Sequence, residues 1–130
     1  MTDRELLELA AKAAGITNLQ WESDGSMQNR MNRLTIPYEC QGMMTGIDWN
    51  PLRDDGDALR LAVKLDFEVT QGDDEGPCAW VNYFMKGSVR WLSLSEQHTK
   101  KRNKATEAEK QAATRRAIVR AAAEIGKAMP

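Results

Sequence analysis

Ala79-Trp80-Val81-Asn82-Tyr83-Phe84 is followed by Lys86-Gly87 and then by Val89-Arg90-Trp91-Leu92-Ser93-Leu94. Both runs are rich in β-branched and aromatic residues, and the dipeptide between them reads as a tight turn. Upstream, Phe67-Glu68-Val69 alternates like a strand. The acidic turn Gln71-Gly72-Asp73-Asp74-Glu75-Gly76-Pro77 separates it from Ala79. Three short strands joined by turns predict an antiparallel meander. On its last strand Val89, Trp91 and Ser93 share one face, and Arg90, Leu92 and Leu94 share the other. Neither face is cleanly polar, so both are expected to be partly covered, as a sandwich requires.

The helices that would cover them carry clear start signals. Thr2-Asp3-Arg4-Glu5 fits a capping box, Leu6, Leu9, Ala10 and Ala13 follow on one face, and Gly15 supplies a stop. A first helix is predicted over 3–14. In Asp48-Trp49-Asn50-Pro51-Leu52-Arg53-Asp54-Asp55-Gly56-Asp57, Asp54 or Asp55 is a suitable N-cap. Ala58, Leu61, Ala62 and Leu65 then share a face, which predicts a second helix over 55–65. Thr106-Glu107-Ala108-Glu109 is another capping box, opening an alanine-rich helix over 106–128. Its apolar stripe is Ile118, Ala121, Ala122, Ile125 and Met129.

Between the first two helices the pattern is weaker. Residues 16–22 are compatible with a short strand. Residues 23–33 are polar and aperiodic and read as a mobile loop. Leu34-Thr35-Ile36 is strand-like, with Pro37 making it an edge or ending it. Residues 40–46 show little pattern. The expected fold class is α+β: an antiparallel sheet of three to five strands packed with three helices in an α/β/α-type sandwich. It forms a single domain over 1–130, with a polar loop near 23–33 and a basic linker near 98–105.

Three segments carry a resemblance. They are Glu5-Leu6-Leu7-Glu8-Leu9-Ala10-Ala11-Lys12-Ala13-Ala14-Gly15-Ile16, the stretch from Trp49-Asn50-Pro51-Leu52 through Asp54-Asp55-Gly56-Asp57-Ala58-Leu59 to Leu65, and Ala112 to Gly126. In this order they resemble the small phage and prophage proteins of the phage ABA-sandwich domain family. The resemblance implies an α+β sandwich encoded by a temperate phage or prophage. It brings no catalytic residues with it. The phage setting implies a small accessory protein that binds a host or defence protein.

Composition agrees with one soluble domain. With 130 residues, 42% of them hydrophobic and 28% charged, the chain can bury a core without a metal or a disulfide. Cys40 and Cys78 allow one bridge, but two free thiols in a reducing compartment are expected. No apolar run reaches membrane-spanning length, and Met1-Thr2-Asp3-Arg4-Glu5 is unlike a signal peptide, so a cytoplasmic location and no membrane partner are expected, the cytoplasm being that of a bacterial host as the resemblance implies. The net charge of −1 is divided unevenly. Residues 1–97 hold 9 Lys/Arg against 16 Asp/Glu, a net of −7, whereas residues 98–130 hold 9 against 3, a net of +6.

That division selects the candidate binding residues: Lys100, Lys101, Arg102 and Lys104 in the linker, with Arg115, Arg116 and Arg120 on the last helix. They suit an acidic protein surface or nucleic-acid phosphates. The bland alternative is a solvated basic helix that neutralises an acidic body. Aromatic interleaving is absent, which removes support for single-strand stacking. Asp48, Asp54, Asp55 and Asp57 offer oxygens for a hard cation, but they lack the calcium-loop pattern and read first as helix capping. Asp73, Asp74 and Glu75 read as a charged hairpin tip, and Trp49 as a core anchor. His98 is alone in a polar linker, with no nucleophile placed beside it. No zinc pattern, phosphate loop or nucleophile elbow occurs. The expectation is therefore a non-enzymatic protein without catalytic residues, metal or cofactor, whose partner is a host or phage protein. A nucleic-acid accessory role and a small ligand- or metal-binding domain are the alternatives.

Overall fold

A computed structural model describes residues 1–23, 31–72, 79–85, 91–96 and 106–130 of the chain. The elements are α1 (Asp3–Ala13), β1 (Gln20–Ser23), β2 (Met31–Cys40), β3 (Met43–Asp48), α2 (Asp55–Lys64), β4 (Glu68–Gln71), β5 (Ala79–Phe84), β6 (Trp91–Glu96) and α3 (Glu107–Ala128). The class is α+β, as expected. The strands divide into two antiparallel three-stranded sheets, β1-β2-β3 and β4-β5-β6, each in chain order.

The three helices begin where side-chain oxygens can satisfy their first backbone N–H groups. Thr2 and Glu5 form the reciprocal box at α1, Thr106 Oγ1 accepts from the Glu109 N–H at α3, and Asp54 accepts from the Asp57 N–H at α2. Two of the helix ends share one device. Gly15 takes a φ of 76° after α1, and the Ile16 N–H reaches back to the Ala11 carbonyl. After α2 the same position is Asp66, with a φ of 55°, and the Phe67 N–H reaches the Ala62 carbonyl. Both are Schellman stops. Aspartate is among the few side chains that tolerate the left-handed region, which is why no glycine marks this end in the sequence.

α3 is the common neighbour of the fold, packing on α1, on α2 and on the β4-β5-β6 sheet. On β5 the buried residues Ala79, Val81 and Tyr83 alternate with less buried ones. Val69 and Leu94 flank Val81, and Leu92 pairs with Tyr83, all on the same face. Val81 and Val119 are fully buried, and burying a side chain of that size stabilises by roughly 1.5–3 kcal/mol. The seam of α3 is made of small residues: Ala113, Ala117, Ala121, Ala122, Ala123 and Gly126 are all buried. A Cβ on Gly126 would overlap the carbonyl oxygen of Leu9, so α1 crosses α3 backbone to backbone there.

The first sheet departs most from expectation. Residues 31–33 of the predicted loop belong to β2, and Ser23 to β1, so only 24–30 of it lie outside the described residues. The stretch 40–46 is the end of β2, a two-residue turn and the start of β3. Gln41 and Gly42 both have positive φ, 52° and 79°, the type I′ geometry that matches the twist of a hairpin. Pro37 sits inside β2, opposite Gly46. Its nitrogen faces the side where β1 would lie, but β1 begins only at Gln20, opposite Thr35. Thus no ladder bond is lost, and the Pro37 carbonyl accepts from the Asn18 side chain at 3.4 Å. Pro37 does mark an edge, as expected, on one side of one half of the strand. The apolar face of this sheet sends Trp21, Leu34 and Ile36 into the core with Trp49. Of the predicted turn at 71–77, Gln71 is the last residue of β4 and 73–77 lie outside the described residues, as does the turn at Lys86-Gly87.

Candidate functional site

Trp49 ends the β3 ladder, its N–H donating to the Leu34 carbonyl at 2.9 Å, and the residue is 7% exposed. It is the core anchor the sequence indicated. The chain then turns through Asn50 and the buried Pro51. Asn50 Oδ1 accepts from the Leu52 N–H, and the Asn50 carbonyl accepts from Arg53 and Asp54. Asp57, buried in the first turn of α2, closes the motif: its Oδ2 accepts from the Asn50 N–H at 2.9 Å and its Oδ1 pairs with Arg60 at 2.7 Å. That pairing holds the Arg60 guanidinium above its ordinary pKa.

The acidic cluster is therefore committed to structure. Asp54 caps α2, Asp57 ties its first turn to the preceding loop, Asp55 pairs with Arg115 and Asp48 pairs with Arg33. Among the described residues no group of three or more His, Cys, Asp or Glu converges on a point where a metal could be held.

The basic candidates are spread out. Lys100, Lys101, Arg102 and Lys104 lie outside the described residues, as does His98. Arg115 is only partly exposed: its Nε donates to the Leu52 carbonyl at 2.9 Å and its Nη1 pairs with Asp55 at 2.7 Å, fastening α3 to the entry of α2. Arg116 pairs with Asp3 at 3.0 Å, fastening α3 to the start of α1. Arg120 lies near enough to Tyr83 to oppose the upward push that burial gives its hydroxyl pKa. Arg115 and Arg116 thus point to two different helices instead of forming one positive surface. Each of the two neutralises one carboxylate of the acidic body.

A groove bounded by α2, β4 and the first half of α3 was not foreseen. It has a volume of about 410 Å³ and is open to solvent. Its apolar wall comes from Ala58, Leu59 and Ala62 of α2, Val69 of β4 and Ile118 of α3. Leu59 is 64% exposed, and Val63, one turn further along α2, is 68% exposed. The polar side chains around the groove are already paired. Gln71 donates to Thr114 Oγ1, Thr114 donates to the Lys110 carbonyl, Gln111 donates to Glu107, and Asp55 holds Arg115. The sequence signal was present: Leu59 and Val63 sit beside the stripe of α2 that enters the core. An occupant of this groove has apolar surface to cover and few hydrogen bonds to satisfy.

No described helix is long and apolar enough to cross a membrane. Comparison of the chain with family models, with curated proteins and with solved structures finds no match.

Proposed function

We propose that this chain is a small phage- or prophage-encoded accessory protein, not an enzyme, and that it binds a host or defence protein. The phage setting rests on the resemblance in the three segments quoted above. The binding reading rests on one observation: the groove between α2 and α3 leaves Leu59 64% exposed above an apolar floor while its polar rim is internally paired. Exposed apolar surface that is rimmed by satisfied polar groups is characteristic of a protein contact.

The test is capture from a bacterial host lysate by the tagged protein and by its Leu59→Glu variant, at low and at high salt. Leu59 is on the surface, so the variant keeps the fold. The proposal expects one protein retained at both salts and reduced at least about tenfold by the variant, as for a central apolar contact. Equal retention by both forms overturns the groove as the binding surface. Nucleic acid retained only at low salt replaces the proposal with the phosphate-binding alternative.

A further inference from the structure

The geometry points to the outer edge of β3 as a docking site for an extended strand of a partner, one that carries a basic residue between apolar ones. In a two-residue hairpin the closing pair, here Cys40 and Met43, is hydrogen-bonded. Met43, Thr45 and Ile47 therefore turn their backbone groups toward β2, and Met44, Gly46 and Asp48 turn theirs outward. The bond from the Trp49 N–H to the Leu34 carbonyl has the same parity and confirms the assignment. Among the described residues no strand pairs with that outer edge.

The two edges of this hairpin differ. The β2 edge is guarded by Pro37, which has no N–H to offer. The β3 edge, Met43-Met44-Thr45-Gly46-Ile47-Asp48, has no proline, lysine or arginine, the usual guards against strand addition. Met43 is 72% exposed and Ile47 55% exposed, and both lie on one face. Antiparallel addition places the residues opposite them in the pairing where side chains approach most closely.

The other face selects the charge. Glu39 and Asp48 are exposed there, on either side of Gly46, which has no side chain. Asp48 already shares Arg33 with Glu22, and Glu39 has no ion-pair partner among the described residues. A lysine or arginine opposite Gly46 lies beside Asp48, on the face that also carries Glu39, while the Thr35 side chain fills the space directly above the glycine. The β3 strand of a second copy carries Asp48 and no lysine or arginine, so it lacks the basic residue this face selects. The surface is distinct from the groove between α2 and α3, so the lysate experiment neither supports nor overturns it.

The probe is the capped peptide Thr-Val-Lys-Val-Thr-Val-Thr, with the same peptide bearing Glu in place of Lys as control, titrated into isotope-labelled protein and followed through backbone amide shifts. The lysine peptide, at about millimolar concentration, is expected to move the amides of Met44, Gly46 and Asp48 and to bind roughly two- to fivefold more tightly than the control, the range of an exposed ion pair. Glu39→Lys should reverse that preference. Met44→Pro, which removes an outward N–H while leaving the bonds to β2, should abolish the shifts with the helix amides unchanged. Absence of shifts at these three amides overturns the site. Equal binding of the two peptides overturns the charge assignment. Shifts of the same amides on concentrating the protein alone identify a second copy as the occupant and overturn the partner proposed.

Discussion

Tyr83 faces α3 from β5, its ring inclined 59° to Phe67 with centroids 5.8 Å apart. Burial pushes its hydroxyl pKa up from the ordinary 10.0, and the carboxylate of Glu124 pushes the same way. The folded state thus favours the neutral phenol. That contribution is complete below the ordinary tyrosine pKa and is lost as pH rises through the raised value of the folded state. Tyr83→Phe keeps the ring and has no proton to lose. Urea unfolding at pH 8 and pH 11 should show a smaller alkaline loss of stability in the variant, and identical losses would refute the assignment. At this scale the sequence was informative wherever one residue acts locally. The caps at Thr2, Asp54 and Thr106 and the anchor Trp49 could all be read from type and position. Asp57 could not, because its partner, the Asn50 N–H, becomes available only after the Asn50-Pro51 turn has formed.

Among elements, the contact between α1 and α3 is the tightest constraint. Gly126→Ala adds one methyl group where the Leu9 backbone already lies, and neither helix backbone can yield as a side chain would. The substitution should destabilise by about 3 kcal/mol despite alanine's better helix propensity, through separation of the helices. Thermal or urea unfolding checks this, and a neutral or stabilising effect would show that the crossing is looser than described. The sequence announced the alanine seam but not which residue touches backbone, since that depends on the crossing of helices more than a hundred residues apart. The β2–β3 hairpin was harder to read for a different reason. Its central proline and its Gln41-Gly42 turn are both weak strand signals in isolation. The proline becomes tolerable once β1 is seen to stop short of it, and Gln41-Gly42 becomes a hairpin turn once Cys40 is seen opposite Met43. The groove escaped because it lies between elements, and neither Leu59 nor Val69 marks it alone.

Over the whole molecule, stability should be uneven. α3 meets α1, α2 and the β4-β5-β6 sheet, whereas the β2–β3 hairpin beyond Thr35 is two-stranded and its β3 residues Met43, Gly46, Ile47 and Asp48 are exposed. Native-state hydrogen exchange should be slowest over 117–123 of α3 and in β5, and fastest among the described strand amides in residues 36–47. Uniform protection would argue against α3 as the hub. The position of that hub in chain order has a consequence for biosynthesis. Arg116 meets Asp3 across 113 residues, and Lys12 meets the Met129 carbonyl across 117. At ribosomal speeds of about 5–20 residues per second, α1 waits roughly 6–20 s for the helix it packs against. During that interval Leu6, Leu7 and the alanines of α1 have no α3 to bury them, so the core closes only when its last-made helix arrives.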